Sequence, residues 1–496
     1  MPLPDQSSNS LSRSAVRSGA FAASSWFLRY GVTLAGAVVL RRFIGPEAYG
    51  IVAFAAVMLD FVTRISNWGL DEALLHRRDS EEAVANAHFA WQMRLTGLAV
   101  AVAIATAIIA RRAGATIEPL HILIVLALVE AAHAAGGTPR VLLEKALRFK
   151  ALSMVESLAT LASYASAILC AWRWPAYGIW ILAGQRGLEV LVRTISFWCL
   201  SPLRVSHEVD RAISRWLFFE FGWPLWLGGV CFVLTFRLPE YLVGQWHGLA
   251  TLGIYFTALR LATLPRDLAA FLPRVLMPTY SRLQNDPAAM ASVFEKVQSV
   301  LVRLSVLVVA FMAVSMPDLL TLFGLSPEWD DVVFLFRTLA VFAIAYAVFV
   351  PIPSLAVVGL GMPKLQLMVQ VFQAAWVVLA GSVLIRFFSA TGAAVAMNGM
   401  MLLSTAALWW LVHRQVPMRS IRVLLPPVVA GALATAAALY LGALLRELAV
   451  GWRVVSLGLC VLTVYLALLA AYEARRLFET GRDFLGLILE RNGGGE

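Results

Sequence analysis

The sequence predicts an all-α protein that crosses a membrane many times, and its composition and apolar patterning both point to this class. Hydrophobic residues make up 60% of the chain and charged residues only 14%, whereas a soluble domain is about half apolar and a quarter charged. The mean hydropathy is +0.77. Apolar runs of about 20 residues, each long enough for one membrane-spanning helix, recur along the whole chain. The composition therefore excludes an ordinary soluble domain.

The apolar runs predict about 14 transmembrane helices. They are expected at about residues 20–40, 49–69, 89–110, 119–136, 152–172, 177–200, 217–237, 248–270, 298–320, 331–356, 365–387, 391–412, 423–445 and 453–472. Because this number is even, both termini are expected on one side of the membrane. The predicted inner segments hold more than twice as many lysines and arginines as the outer loops, so the positive-inside rule places both termini in the cytoplasm.

Two short motifs recur with the same offset and predict two pseudo-symmetric six-helix lobes. Gly45–Ile51 and Gly248–Ile254 share the spacing Gly-x-x-x-x-Gly-Ile, and Gly137–Arg140 resembles Gly361–Lys364. Both pairs are related by six predicted helices, as expected for an internal repeat. The predicted organisation is a cytoplasmic tail (1–19), an N-lobe (20–200), a C-lobe (201–412), two further helices (423–472) and a cytoplasmic amphipathic tail (473–496).

Ionised side chains lie deep inside several predicted spans. A charge near the bilayer centre costs about 2.5–3.5 kcal/mol, so it normally marks a lumen, a partner or a substrate. Several of these residues recur at helical spacing, among them Asp60 with Arg64, and Arg186 with Glu189 and Arg193. Polar stripes on several helices favour a shared aqueous cavity, and buried structural ion pairs are the alternative.

The arginines of these stripes predict an anion site. A guanidinium binds phosphate through two parallel hydrogen bonds and stays charged at any relevant pH. Pyrophosphate is the obvious anion of this kind in a membrane. The predicted binding residues are Arg29, Arg64, Arg186 and Arg260.

Three carboxylates in the spans are candidates for coupling transport to protons or sodium ions. They are Asp60, Glu130 and Glu189. The alternative interpretation is that they only neutralise the nearby Arg64, His133 and Arg193.

The sequence shows no sign of an enzyme, a metal site or a cofactor. The four cysteines have no CxxC spacing, and neither an HExxH motif nor a P-loop is present. The formal net charge is +10, but most of the basic residues lie in loops that set the topology. No basic stretch is interleaved with aromatic residues in the way that would predict nucleic-acid binding.

Four stretches resemble a known family. These are Trp26–Gly50, with the pattern W-x3-Y-x5-G-x4-RR-x2-GPE-x-YG, and Leu147–Lys150, Gly253–Leu261 and Phe323–Trp329. In order and spacing they resemble the polysaccharide-export, Wzx-like flippase family of the multidrug/oligosaccharidyl-lipid/polysaccharide exporter superfamily. The likeness covers roughly residues 15–415.

The resemblance implies a transporter of the bacterial inner membrane. Such proteins have two six-helix lobes around a basic cavity and move undecaprenyl-pyrophosphate-linked oligosaccharides from the inner to the outer leaflet by alternating access. It implies a lipid-linked glycan as partner, with a polysaccharide polymerase or export complex as a further one. A flippase of the peptidoglycan lipid precursor, a membrane-embedded polymerase or glycosyltransferase, and a small-drug antiporter are the alternatives.

Overall fold

The computed structural model describes most of the chain. The described residues are 28–66, 68–76, 81–114, 117–146, 148–201, 210–268, 286–416 and 420–493, together with residues 276, 280 and 283. Within them the secondary structure is helical and no strand is present. The all-α prediction is therefore confirmed. The predicted N-terminal tail, residues 1–19, lies outside the described part.

The chain forms two compact units, Met1–Phe256 and Thr257–Glu496. The helices of the first unit are α1 (28–41), α2 (Pro46–Ser66), α3 (Leu70–His76), α4 (Glu81–Arg112), α5 (Ile117–Lys145), α6 (Phe149–Arg173), α7 (Gly178–Leu200), α8 (Arg211–Arg215), α9 (Trp223–Phe236) and α10 (Leu238–His247). The boundary between the units falls within α11 (Leu249–Ala262).

The described part of the second unit continues with further helices. They are α12 (Leu264–Leu268), α13 (Pro287–Leu322), α14 (Asp331–Phe349), α15 (Pro351–Ser354), α16 (Pro363–Trp376), α17 (Ser382–His413), α18 (Ser420–Leu444) and α19 (Val450–Gly493). The predicted amphipathic tail continues α19 to Gly493, and its position on the membrane surface stays a prediction. The predicted division into lobes at residue 200 also stays a prediction.

Small side chains allow the helices of each unit to pack closely. In the first unit Ala55 of α2, Ala103 of α4 and Ala127 of α5 are buried in one apolar cluster. In the second unit Ala430 and Ala434 of α18 pack in a cluster that also contains residues of α13 and α19. Small residues at helix contacts are typical of membrane proteins, in which helices associate through close packing.

Ten helical segments of the described chain are long and apolar enough to cross a membrane. One of them, Lys364–His413, is 50 residues long and contains two of the predicted spans. α7 has 23 residues but carries three charged side chains, and Leu249–Ala262 has only 14. Of the first predicted span, residues 20–40, only the part from residue 28 is described. The multi-pass architecture is confirmed, whereas the number 14 stays a prediction.

The 50-residue segment bends sharply at Ser389. This residue has φ 56° and ψ −140°, the one non-helical conformation inside α17. A positive φ is energetically unfavourable for a residue with a Cβ atom, but not for glycine. The bend lies between the predicted spans 365–387 and 391–412, so it separates the two apolar stretches as the sequence analysis expected.

The repeated glycine motifs meet each other in the first unit. A Cβ added to Gly50 of α2 would overlap the carbonyl oxygen of Leu249, and one added to Gly253 of α11 would overlap the carbonyl oxygen of Pro46. The same offset along the chain relates Gly50 to Gly253 and Pro46 to Leu249. The contact is therefore reciprocal, as a local two-fold relation between α2 and α11 would produce.

The structure corrects the predicted position of Arg237. The sequence analysis ended a span at residue 237, so Arg237 was expected at the very end of that span. In the structure Arg237 lies inside the span Leu225–His247, at the junction of α9 and α10. Proline is tolerated in the first turn of α10 because its missing N–H has no helical partner there. The charge of Arg237 is balanced by carboxylates, as described below.

Candidate functional site

The centre of the site is a polar seam between α6 and α7. Glu189 of α7 is buried and forms ion pairs with Arg193, one turn further on, and with Arg186, at 3.5 Å. Thr160 of α6 donates a hydrogen bond to Glu189 over 3.2 Å and accepts one from Arg193 over 3.2 Å. Glu189 and Arg193 of the predicted stripe therefore face α6 and are held there by Thr160.

A second ion pair joins α1 to α6 beside this seam. Arg29 of α1 contacts Glu156 of α6, which lies one helical turn before Thr160. Both side chains are about one quarter exposed, at 24% and 26%. Arg29 also lies within electrostatic range of Glu189 and Arg193. The structure thus brings the predicted residues Arg29, Arg186 and Glu189 into one neighbourhood.

Two further predicted residues border this neighbourhood. Glu130 of α5 lies 3.4 Å from His133, one turn along the same helix. It is within electrostatic range of Arg186 and Arg64. The exposed guanidinium of Arg64 lies over the ring of Phe232, 5.1 Å from its centre.

We call the seven residues Arg29, Arg64, Arg186, Arg193, Glu130, Glu156 and Glu189 the arginine cluster. It contains four guanidinium groups and three carboxylates, so it is cationic when all of them are ionised. Arg186 is 45% exposed and its contact with Glu189 is the looser of the two. The cluster therefore carries a net positive charge, and the exposed guanidinium groups of Arg64 and Arg186 are its least constrained cations.

Asp60 does not belong to this cluster. The sequence analysis placed it on one stripe with Arg64, but its partner in the structure is Arg237, with Nε and Oδ2 2.7 Å apart. Arg237 also pairs with Glu240 over 2.9 Å, and Glu240 is only 2% exposed. We call Asp60, Arg237 and Glu240 the Arg237 triad.

Arg260 lies on α11 and its side chain is exposed. Among the described residues no ion pair to Arg260 is seen, and its carbonyl oxygen accepts a hydrogen bond from Thr263 over 2.9 Å. Arg260 belongs to the second unit and the arginine cluster to the first. Its convergence with Arg29 and Arg186 on one cavity stays a prediction.

A cavity of about 510 Å³ lies between α6 and α7. Aromatic side chains line much of it, including Trp174, Tyr177 and Trp180, and Gln185 forms a polar part of the wall. Gln185 donates a hydrogen bond to Ser163 over 3.1 Å, one turn from Thr160 of the polar seam. All the side chains that line the cavity are uncharged. The described residues contain no group of three or more histidine, cysteine, aspartate or glutamate side chains able to hold a metal ion.

Sequence reasoning missed three charged residues, Glu156, Arg237 and Glu240. Glu156 is the one carboxylate of an otherwise apolar predicted span, and such a residue is by itself a signal of function in a membrane. Arg237 and Glu240 lie at and beyond the predicted end of the span 217–237, so they were not considered as residues of a span. Arg29 and Glu156 are 127 residues apart in sequence. Spacing along the chain therefore could not reveal that they form an ion pair.

The family model of the polysaccharide biosynthesis proteins matches residues 39–334, more than half of the chain. The chain belongs to this family. The family resemblance expected from the motifs of Trp26–Gly50 and the later stretches is thereby confirmed.

Two relatives support the assignment. The chain is 26% identical over 352 residues to the succinoglycan biosynthesis transport protein ExoT of Rhizobium meliloti, with 67% of each chain covered. It is 23% identical over 354 residues to the lipopolysaccharide biosynthesis protein WzxC of Escherichia coli, with 66% of each chain covered. The match thus spans about two thirds of the length of each relative.

The fold of this chain is similar to the folds of several solved transporters. The lipid II flippase MurJ, in an inward closed conformation, superposes with a TM-score of 0.70 at 13% identity and covers 92% of this chain and 98% of MurJ. An inward-facing multidrug resistance MATE transporter gives 0.57 at 14% identity, with 80% and 94% covered. A MOP-superfamily transporter from Pyrococcus furiosus gives 0.51 at 14% identity, with 81% and 96% covered.

Proposed function

We propose that this protein is a flippase of the bacterial cytoplasmic membrane. It translocates an undecaprenyl-pyrophosphate-linked oligosaccharide repeat unit from the inner to the outer leaflet, for export of a polysaccharide such as an exopolysaccharide or O-antigen. The family and the names of the two relatives support a role in polysaccharide biosynthesis and transport. The superposition with the lipid II flippase MurJ supports the transporter fold that such a movement requires.

The arginine cluster is the observation that carries this proposal. A site for the anionic head of a membrane lipid needs cations at membrane depth, and such cations are costly unless they are paired or face water. Arg29 and Arg193 are held by Glu156 and Glu189, which keeps their guanidinium groups in place before substrate arrives. Arg186 is the more exposed donor. Together they present a pre-organised cationic surface to a pyrophosphate.

Translocation follows from alternating access. The pyrophosphate lies at the arginine cluster, while the isoprenoid tail stays in the bilayer. Movement of helical bundles around the site opens it to one side of the membrane at a time. No covalent bond is made or broken, so the protein acts as a transporter and not as an enzyme.

The test is glycan export in a strain whose own copy of the gene is deleted. We expect the triple variant Arg29→Ala, Arg186→Ala, Arg260→Ala to accumulate undecaprenyl-linked sugar on the inner leaflet while the protein remains inserted and abundant. Arg94→Ala is the matched control, because Arg94 is exposed on α4 and contacts only the ring of Trp91 among the described contacts, at 5.1 Å. Normal export by the triple variant at wild-type abundance would refute the proposal.

The peptidoglycan lipid precursor is the second candidate substrate. We include this substrate because the chain superposes on 98% of the lipid II flippase MurJ. At 13% identity, this superposition is evidence for a shared fold. Expressing this protein in a cell depleted of its own flippase for the peptidoglycan precursor distinguishes between the two candidate substrates. Growth restored by this protein would make the peptidoglycan precursor the substrate, and we expect no restoration.

A further inference from the structure

The cavity between α6 and α7 continues the polar seam that holds the arginine cluster. Within the seam Thr160 donates a hydrogen bond to Glu189 over 3.2 Å. One helical turn further along, Gln185 donates one to Ser163 over 3.1 Å. Gln185 and Ser166 are the first residues of the cavity wall after this contact. We call the cavity, which is lined by residues between 166 and 174 and between 177 and 188, the α6–α7 groove.

The polar groups of the groove wall are paired within the protein. Besides the contact of Gln185 with Ser163, the hydroxyl of Ser166 donates to the carbonyl oxygen of Ser163 over 2.9 Å. None of the side chains that line the groove is charged. A sugar rich in hydroxyl groups would lose hydrogen bonds to water and find few new partners in such a groove. The wall therefore suits an apolar ligand.

The groove opens on a lipid-facing side of the two helices. Leu169, next to Cys170 of the wall, is 64% exposed, and Leu191, one turn after Leu188 of the wall, is 50% exposed. Large apolar side chains exposed on spanning helices lie against lipid chains, which are as apolar as leucine itself. At the other end of the groove Trp174 is also exposed, as is usual for an aromatic residue at a membrane–water interface.

We propose that the α6–α7 groove holds the isoprenoid chain of the substrate while the pyrophosphate lies at the arginine cluster, an inference that rests on the proposed flippase function. The isoprenoid is bonded directly to the pyrophosphate, so an apolar surface has to begin beside the anion site. The groove begins one helical turn from Glu189 of that site. Gly184 leaves room in it, because a Cβ added there would meet no heavy atom within 4 Å.

The direction of the groove fits a lipid that comes from the inner leaflet. In such a lipid the head lies at the cytoplasmic surface and the chain points towards the bilayer centre. By the predicted topology α6 begins on the cytoplasmic side and Trp174 lies at the outer side, so the groove lies outward of the arginine cluster. A head drawn into the cluster would therefore keep its chain on the side of the groove.

The size of the groove fits one end of such a chain. Its volume of about 510 Å³ lies within the range of about 300–1,000 Å³ that is usual for small-molecule sites. The helix from Thr160 to Trp174 is about 20 Å long, which is enough for several isoprene units. The units nearest the pyrophosphate would lie in the groove, and the remainder of the chain would lie in the bilayer.

A phospholipid chain is the competing occupant, because the groove faces the bilayer. It has no pyrophosphate to bind the arginine cluster. Binding of the isoprenoid in the groove should therefore depend on Arg186, which is 45% exposed in the cluster, although Arg186 does not line the groove. Binding of a phospholipid chain should not depend on it.

Photolabelling of the purified, full-length protein in phospholipid vesicles tests the site without any transport. The probe is undecaprenyl pyrophosphate that carries a diazirine in one of the isoprene units nearest the pyrophosphate, and mass spectrometry locates the label. We expect the label between residues 166 and 188. Gly184→Leu should lower it at least about tenfold, because leucine would fill the groove. Gly97→Leu is the matched control, since nothing lies within 4 Å of a Cβ at Gly97 either, and it should be labelled like wild type.

Further variants and probes separate the possible occupants. Trp180→Gln, at a side chain of the wall that is 49% exposed, needs no extra room and should also lower the labelling. Arg186→Ala should lower it several-fold. Phosphatidylglycerol with a diazirine in its acyl chain should label the groove no more than other lipid-facing helices, and a soluble oligosaccharide should not protect the groove. Preferential labelling by the phospholipid, protection by the oligosaccharide, or an isoprenoid label outside residues 166–188 would overturn the proposal.

Flipping of a lipid-linked oligosaccharide in the same vesicles separates this inference from the proposed function. Gly184→Leu should flip several-fold more slowly than wild type, and Gly97→Leu should flip at the wild-type rate. If the groove is labelled as expected but wild-type protein flips no substrate, the flippase function fails and the isoprenoid site stands. If wild-type protein flips the substrate and the label lies elsewhere, the isoprenoid site fails and the flippase function stands.

Discussion

Arg186 and Arg193 lie on one face of α7, but their side chains differ in how firmly other residues hold them. Arg193 is bound to both Glu189 and Thr160, whereas Arg186 is more exposed and has only the 3.5 Å contact with Glu189. This difference supports our proposal that Arg186 binds the substrate, whereas Arg193 holds the seam together.

Replacing Arg186 should separate the geometry of the guanidinium from its charge. Arg186→Lys keeps the charge but loses one of two parallel hydrogen bonds, so export should fall about tenfold, as expected from a loss of about 1.5 kcal/mol. Arg186→Glu should abolish export. Arg94→Lys, on the exposed face of α4, should leave export unchanged. Glycan export per unit of inserted protein is the measurement, and an Arg186→Lys variant with wild-type export would remove Arg186 from the proposed site.

Asp71 lies outside the membrane spans, and its ion pairs indicate how the stability of the folded protein should depend on pH. It pairs with Arg140 over 2.9 Å and with the buried His88 over 3.0 Å. Burial alone would raise the pKa of Asp71, but hydrogen bonds and charge from His88 and Arg140 outweigh burial, and the pKa lies below the ordinary value of 3.8. Because the folded pKa is depressed, the stabilisation is present above pH 3.8 and is lost as the pH falls through the lower folded value.

We therefore expect Asp71→Asn to lower the Tm of the detergent-solubilised protein at neutral pH. The difference in Tm between wild type and variant should shrink as the pH falls below about 4. Thermal unfolding measured across a pH series checks this. A difference that is the same at every pH would show that Asp71 acts through packing and not through its charge.

α2 and α11 come closest where Gly50 and Gly253 face each other. Because an added Cβ would overlap a carbonyl oxygen at either position, the two helices would have to separate. Gly50→Ala and Gly253→Ala should each destabilise the protein by about 1–3 kcal/mol, the usual cost of overpacking. Gly97→Ala is the control, since nothing lies within 4 Å of a Cβ there. Equal Tm values for all three variants would contradict the close approach.

At the bend in α17 we expect a substitution to increase the stability of the protein. Ser389 has a positive φ of 56°, a conformation that glycine adopts without strain. Ser389→Gly should therefore raise the Tm, with a gain of about 1 kcal/mol, and the β-branched Ser389→Val should lower it. A lower Tm for Ser389→Gly would mean that the bend is not the preferred conformation at this position.

The helices were predictable to different extents. Their apolar length is a local property, so α6 and α18 lie close to their predicted ranges. α4 begins at Glu81 and α5 ends at Lys145, each well beyond the predicted apolar stretch. The end of the span that contains Arg237 was wrong because the charge is compensated by Asp60, a residue far away in sequence. The repeat of Gly50 and Gly253 was visible as a pattern, but their mutual contact depends on tertiary packing. Likewise, the stripe of Arg186 and Glu189 was predictable from spacing and its fixation by Thr160 was not.

Across the whole chain, the number of spans depends on helices that carry charge. α7 has three ionised groups near its middle, and a helix of this kind enters a membrane only when those groups face partners or water. The contacts of Glu189 with Arg186, Arg193 and Thr160 satisfy this condition within the protein. We therefore expect α7 to cross the membrane in spite of its charges.

Topology reporters on the two sides of α7 test this expectation and with it the count of 14. A reporter inserted after Trp174, in the turn before α7, should give an extracytoplasmic signal, and one after Ser201 should give a cytoplasmic signal. A third, after Tyr472 in α19, should be cytoplasmic, because an even number of spans returns the chain to the side of its N-terminus. If α7 did not cross, the first two reporters would lie on the same side, and the orientation of every later helix would be inverted. An extracytoplasmic signal after Tyr472 would exclude an even number of spans with a cytoplasmic N-terminus.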